Sequence, residues 1–469
     1  MAASVTGEII DFVCSSNRSA LDGAVLEAAR RSWIDCLAAA FAGLATPAAA
    51  QARGFARACG GSEEATVLGA TRRAPVVHAA LANGVIAHAV DYDDTSWTLF
   101  GHPTAVVLPV VLALAERCEA TGMQALAAYA IGVEVSCKLG RLLCPPHYEH
   151  GWHATSTLGV FGATCAAARL LELTPAQLGH ALGLAAAQSG GLARNFGSMA
   201  KPFQVGQAAR NAVTAALLAE AGMSGGADIL DGPGGYLEVY AGRPQGGSGG
   251  GAGVVREPRL GEVLGAPFDL VAPGFALKMY PTCAFTHCAI DAALALRRRH
   301  RLAAAEVAEV ACLVNPLAPA ILIHHAPRTA LEGKFSMEFC LAAALCFGEV
   351  GPAQVTDEVV RSAAVRDLMR RITMLPSEEL AGEEAARLSP AQVTITLRSG
   401  HVHSRRVLAP YGSAANPASA ADLEQKFRQC ASLHLAPQDA DRCLSLLRGL
   451  EKAASLHPLL ALCRFGVAS

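Results

Sequence analysis

The densest gathering of chemically capable side chains is His88-Ala-Val-Asp91-Tyr92-Asp93-Asp94-Thr95, followed by Gly101-His102-Pro103-Thr104. It closes a stretch, Asn83-Gly84-Val85-Ile86-Ala87, that carries no charge. Three carboxylates within four residues repel one another, and burial raises the cost of each charge. Holding them at the end of an apolar helix takes hydrogen bonds, cationic neighbours or a metal ion. The plain alternative is a helix cap with a solvated acidic turn, since Asp and Thr suit both. Three chemistries fit the cluster as a site. His88, Asp91 and His102 have the donor types of a metal site, but no His-x-x-x-His or His-Glu-x-x-His pair accompanies them. Asp91-Tyr92-Asp93-Asp94 matches the Asp-x-Asp-Asp protonation motif of an all-α terpene cyclase. Carbocation pockets need aromatic faces, and this chain has 3 Trp and 7 Tyr. The third chemistry is metal-free acid–base work on a carboxylate substrate.

That last reading requires cations elsewhere to hold the substrate. Lys201 stands in Arg194-Asn195-Phe196-Gly197-Ser198-Met199-Ala200-Lys201-Pro202-Phe203, with no other charge between it and Arg194. Lys278 lies in the equally apolar Phe275-Ala276-Leu277-Lys278-Met279-Tyr280-Pro281. A lysine in such a setting is ordinarily a snorkelling surface side chain. His153, in Gly151-Trp152-His153-Ala154-Thr155, opens a small-residue helix, where a histidine is ordinarily a satisfied core group.

The elements that must position these groups are mainly helical. Residues 24–42, 77–89, 105–120, 125–143 and 208–221 repeat apolar side chains at three- and four-residue spacing. Breaks fall at Gly and Pro, as at Pro145-Pro146 and Gly232-Pro233-Gly234-Gly235. Strands and helices do not alternate in this half, which argues against a doubly wound sheet. The Gly/Ser tract Gly246-Gly247-Ser248-Gly249-Gly250-Gly251-Ala252-Gly253 lacks the preceding strand of a phosphate loop and reads as a flexible surface loop. Further on, residues 306–314 alternate weakly, and 392–407 read as a hairpin turning at Ser399-Gly400. Helical pattern lies between them, at 289–302 and 335–347. The expected architecture is mainly α. A large all-α domain is built from both chain ends, residues 1–267 and 409–469, and a smaller α+β lid domain comprises 268–408.

Composition narrows the function classes. Of 469 residues, 52% are hydrophobic and only 17% charged, so disorder is excluded and a sizeable core is available. The 38 basic and 40 acidic residues leave no basic footprint for nucleic acid. Mean hydropathy is positive at +0.32. Residues 95–115 and 173–193 carry no charged side chain and reach spanning length, but Pro, His and Gln interrupt them. Both read as buried helices, so no membrane association is expected. The first residues, Met1-Ala-Ala-Ser-Val-Thr-Gly-Glu, show no basic stretch followed by an apolar run, which points to a cytoplasmic protein. The 15 cysteines include no Cys-x-x-Cys and read as small buried hydrophobes rather than a disulfide framework.

Asn83-Gly84 through Thr95 resembles the signature of the MmgE/PrpD family. The group is related to 2-methylcitrate dehydratase and includes cis-aconitate decarboxylase and iminodisuccinate epimerase. The likeness continues through Gly101-His102-Pro103, Gly151-Trp152-His153, Ser198-Met199-Ala200-Lys201-Pro202, Lys278-Met279-Tyr280-Pro281 with Thr286-His287, Lys334-Phe335-Ser336, and Asn416-Pro417 before Lys426-Phe427. The resemblance implies the same all-α domain and lid, usually in a homodimer, with a site between them that needs no metal or organic cofactor. Carried over by position, catalytic residues fall on Asp91, His102, His153, Lys201 and Lys278. Thr95, Arg194, Tyr280 and His287 are the expected substrate contacts. His102 sits one residue farther from Thr95 than in the decarboxylases, and Phe339 stands where decarboxylase-like members have Tyr, which removes a hydroxyl donor. The segment 195–202 looks more like the decarboxylase and epimerase branch, without the Trp-Lys-Gly of the dehydratases. The expected function is a cofactor-independent lyase, of the dehydratase or decarboxylase type, acting on a small di- or tricarboxylate by proton abstraction beside a carboxylate. An epimerase on the same fold is the nearest alternative. A terpene-cyclase-like enzyme and a catalytically silent binding protein are the alternatives of other classes.

Overall fold

The computed structural model describes residues 4–16, 21–241, 260–382 and 388–467, and the Gly/Ser tract of 246–253 lies outside them. The chain is mainly helical. Gly23–Gly43, Val76–His88, Pro103–Arg117, Gly122–Leu143 and Ala200–Glu220 are the long helices of the first half. Four of them start and end close to the sequence expectation. The fifth begins at Ala200, eight residues before 208, because Pro202 falls in its first turn, where a missing N–H costs nothing. That extension places Lys201 inside the helix.

Two buried apolar clusters organise the molecule. The first draws on residues from Val5 to Leu277 and again from Leu423 to Cys463, so both chain ends share one core. The second runs from Cys283 to Ile395. Phe268, Leu270, Phe275 and Leu277 pack in the first cluster. The second is built on a four-stranded sheet of β3 (Val307–Val314), β4 (Ile372–Pro376), β5 (Ala391–Leu397) and β6 (Val402–Val407), in spatial order β4-β3-β5-β6. β1 (Ala65–Thr66) and β2 (Arg73–Ala74) form a separate ribbon. β3 buries Val307, Val310, Cys312 and Val314, and β5 pairs with it antiparallel and buries Ala391, Val393 and Ile395. The expected hairpin is β5–β6, with Gly400 at φ 89° in its turn. Sequence reading missed β4, which pairs parallel to β3 and is mostly exposed, so it carries no alternation to read.

The helices Val76–His88 and Ala200–Glu220 meet almost backbone to backbone. A Cβ on Gly84 would stand 2.7 Å from Gly206 Cα, and one on Gly206 2.3 Å from Leu81 O. Only glycine permits this approach. The two apolar windows resolve accordingly. Residues 95–115 form a loop and the buried helix Pro103–Arg117, and 173–193 form Pro175–Ala186 and a turn. No single helix among the described residues is long and apolar enough to cross a membrane. All fifteen cysteines are free, and most are buried.

Candidate active site

The Val76–His88 helix stops because Asp91 adopts φ 55°, a left-handed conformation that Asp tolerates better than most side chains. The turn throws the Asp91 carboxylate back towards the first turn of the Ala200–Glu220 helix. There Lys201 Nζ donates to Asp91 Oδ2 at 2.6 Å. An ammonium at the positive end of a helix dipole is unfavourable alone, and the facing carboxylate compensates. Lys278 reaches the same group from another side, donating to Asp91 Oδ1, to the Asp91 carbonyl at 3.1 Å and to Thr282 O at 2.9 Å. Its segment is tied to the Asp91 loop by reciprocal backbone bonds between Thr95 and Ala276, at 2.9 and 2.8 Å. Burial pushes the Asp91 carboxyl up, but Lys201, Lys278 and His102 outweigh it and hold it well below the usual carboxylate range.

The three neighbouring carboxylates go to three different environments. Asp93 is wholly buried and accepts from His88 Nδ1 at 2.9 Å. His102 Nδ1 lies 3.0 Å from the same oxygen, Asp93 Oδ2, without the alignment of a full hydrogen bond. Burial acts upward on Asp93 also, and the two histidines hold it well below its ordinary value. Asp94 turns into the helical core, where Thr104 donates to it at 2.5 Å. Burial, with Asp35 and Asp93 nearby, pushes its carboxyl well up against the opposing hydrogen bond from Thr104. Separation into different surroundings thus eases the mutual repulsion evident in the sequence.

Burial lowers the histidines. His88 falls to about 4 despite Asp93, and His153 falls well below its usual value, with Lys201 adding to the effect. His153 Nδ1 is 2.7 Å from Gln204 Oε1, and its Nε2 has no partner. His102 is lowered by burial against the opposing pull of Asp93.

Asp91, Thr95, His102, His153, Lys201 and Lys278 line one cavity of about 510 Å³, part of it open to solvent. The remaining wall is largely aromatic: Trp97, Phe100, Tyr148, Phe196, Phe285 and Phe335. Phe196 and Phe335 stack at 5.5 Å, and Lys201 Nζ lies 5.3 and 5.2 Å from their centres. The low aromatic content of the chain therefore does not describe the site, where its few rings gather. Asp93 and Asp94 do not line the cavity, so the Asp-x-Asp-Asp string does not act as a unit. Both Lys201 and His153 face the shared cavity rather than solvent.

Three expected substrate contacts are not brought there. Arg194 is exposed in the turn Ala193–Asn195. Tyr280 donates its hydroxyl to Asp291 at 2.5 Å, and His287 Nε2 faces Thr282 O at 3.2 Å beneath the Tyr280 ring. Phe339 is fully buried in the second core, its ring against Gly333, and does not line the cavity. Sequence reading placed His88 and Asp93 in the cluster without assigning them to the acid–base site, and passed over Gln204, the aromatic wall and two buried lysines. Lys334 donates to Ala89 O at 3.0 Å, and Lys426 to Asp35 at 2.7 Å and to the carbonyls of Tyr92 and Lys278, both at 2.7 Å. Their signal was present in Lys334-Phe335-Ser336 and Lys426-Phe427, which were matched as blocks without being assigned a role.

Donor atoms of His88, Asp91 and His102 lie within 4.8 Å of one another, the grouping foreseen for a metal. The donor set suits a cation poorly. Both Asp91 oxygens already accept from ammonium groups, which would repel a divalent ion held on the same carboxylate.

Comparison with known proteins bears on this geometry. Residues 7–246 match the profile of the MmgE/PrpD N-terminal domain and residues 280–452 that of the MmgE/PrpD C-terminal domain. The chain is 27% identical over 474 residues to the cis-aconitate decarboxylase of Homo sapiens, covering 96% of this chain and 92% of that one. It is 26% identical over 479 residues to the cis-aconitate decarboxylase of Aspergillus terreus, covering 98% and 95%. A cis-aconitate decarboxylase-like protein, oryM, of Aspergillus oryzae is 27% identical over 480 residues, covering 98% and 97%.

Proposed function

The chain belongs to the MmgE/PrpD family, and on that premise we propose that it is a lyase removing carbon dioxide from a small tricarboxylate of the cis-aconitate type. One observation carries the reading: Asp91, with Lys201 and Lys278 on its two oxygens, opens with His102 and His153 onto a single cavity. A substrate carboxylate entering there shares the two ammonium groups with Asp91. Breaking the bond to a second carboxylate releases carbon dioxide and leaves the electron pair on carbon. That pair spreads through the neighbouring C=C bond onto a remaining carboxylate as a dienolate-type charge, and a proton delivered to a carbon of that anion completes the reaction. Fixed cations stabilise such charge without reorganising, and the aromatic wall limits the water that would screen them. Histidine supplies the proton. The second core is read as a lid over this cavity, and the family likeness extends the proposal to a homodimer. No metal or organic cofactor takes part, a reading supported by the two ammonium groups already on Asp91.

The test follows cis-aconitate, 2-methylcitrate and iminodisuccinate by NMR in deuterated water with a chelator present. The expected result is loss of carbon dioxide from cis-aconitate, with deuterium entering the product. Lys201→Met should lower kcat/KM by at least about 100-fold in a folded protein. Dehydration of 2-methylcitrate or epimerisation of iminodisuccinate, with cis-aconitate untouched, would refute decarboxylation. Activity abolished by the chelator would refute the metal-free reading.

A further inference from the structure

The two cavity histidines differ in what stands behind them. His153 Nδ1 faces the neutral amide oxygen of Gln204 at 2.7 Å. That amide is oriented by its own nitrogen, which donates to Leu192 O at 3.3 Å. His102 has a carboxylate behind it instead. Its Nδ1 is 3.0 Å from Asp93 Oδ2, whereas its Nε2 is 3.6 Å from Asp91 Oδ1. The nearer carboxylate favours the proton on Nδ1 by its charge at 3.0 Å, without an aligned hydrogen bond. His102 Nε2 is then a lone pair on the Asp91 side of the ring. Asp93 is anchored in turn by His88, whose Nδ1 lies 2.9 and 3.0 Å from its two oxygens. The His88 and His102 rings are 4.5 Å apart.

Adding a proton has different consequences at the two sites. On His102 Nε2 it creates an imidazolium beside a wholly buried carboxylate, with Asp91 on the opposite side. On His153 it creates a charge backed only by an amide and facing Lys201. Lys201, Lys278 and neutral His88 are the other titratable groups acting on His102; the two lysines oppose its charge, and Asp91 and Asp93 oppose the lysines. Environments that push two acid–base groups apart in this way assign their roles.

We infer that His102 is the proton carrier of this site, that Asp93 is the positioning residue fixing its tautomer and balancing its charge, and that His153 remains neutral and orients the substrate. In the proposed reaction, protonated His102 gives its Nε2 proton to a carbon of the anion left by carbon dioxide and returns to the Nδ1–H form. Solvent restores the proton. The chemical step rests on the lyase reading; the order of protonation is a property of the chain without substrate.

The experiment titrates 15N-histidine-labelled full-length protein, with His102→Gln and His153→Gln serving to assign the signals. His102 is expected as the Nδ1–H tautomer, protonating at higher pH than His153. Asp93→Asn should abolish that gap and lower kcat about 100- to 10,000-fold with KM within about threefold. Asp93→Glu should recover part of the loss. Gln204→Glu should raise the midpoint of His153 and serves if Asp93→Asn does not fold. His153 titrating above His102 overturns the assignment, as does a gap unmoved by Asp93→Asn or a His153 midpoint unmoved by Gln204→Glu. The expected titration order with no turnover of any carboxylate refutes the lyase reading alone.

Discussion

Lys334 shows what burial does to a single charge near this site. It is enclosed in the second core's approach to Asp91 and donates to Ala89 O. Burial, with Lys201 and Lys278 adding to it and Asp91 opposing, lowers its ammonium from 10.5 to about 8. Below pH 8 it is charged both folded and unfolded, and the full cost of burying the charge is felt. Between pH 8 and about 10.5 the unfolded chain holds the proton and the folded one does not, so stability rises with pH. Wild type should therefore gain up to about 3 kcal/mol on Lys334→Met between pH 7 and 10. Urea unfolding at the two values measures it, and a constant gap would mean that Lys334 titrates normally. At this scale the sequence was partly legible. Lys201, Lys278 and the cluster around Asp91 stood out because charge is sparse in the chain as a whole. Asp93 and Asp94 looked alike in the string, yet one faces two imidazoles and the other a hydroxyl in the core.

Helix spacing decides whether Lys201 reaches Asp91. The Val76–His88 and Ala200–Glu220 helices cross where Gly84 and Gly206 touch, and the two charged groups extend from their facing ends. Gly84→Ala places a methyl 2.7 Å from Gly206 Cα and must separate the backbones. The expected cost is about 1–3 kcal/mol of stability. Activity should fall further than stability, because a misplacement of about 1 Å at a reacting group can cost 100-fold. Thermal unfolding and kcat/KM measured side by side check this, and full activity in a destabilised variant would show the spacing to be irrelevant to the site. Helical periodicity foretold these elements, but not the early start at Ala200 or the crossing point. The first depends on proline tolerance in one turn, the second on a partner distant in sequence.

Across the whole molecule, Lys426 is the long-range brace. It comes from the Ala420–Ala431 helix near the chain end, pairs with Asp35 in the Gly23–Gly43 helix, and holds the carbonyls of Tyr92 and Lys278. Its ammonium also lies 3.8 Å from the Tyr92 ring centre. One side chain thus joins both chain ends to the two segments that carry Asp91 and Lys278. Burial raises Asp35 to about 6 even with Lys426 beside it. Lys426→Met should cost about 3–5 kcal/mol by leaving that carboxylate uncompensated, and Asp35→Asn in the same chain should recover part of it. Denaturant unfolding of the single and double variants tests the brace, and additive losses would refute the coupling.

By itself the sequence determined a mainly helical chain, a small strand-bearing region after the Gly/Ser tract, and a cluster of acids, histidines and isolated lysines whose types suit carboxylate chemistry. These are local properties, carried by periodicity, turn residues and scarcity of charge. The tertiary structure alone decided which of the lysines meet Asp91, which histidine has a carboxylate behind it, and that a chain poor in aromatics lines its cavity with them. It also left Arg194 in solvent and committed Tyr280 to Asp291. Pairing and burial depend on residues far apart in the chain, and no local spacing encodes which of them will share a wall.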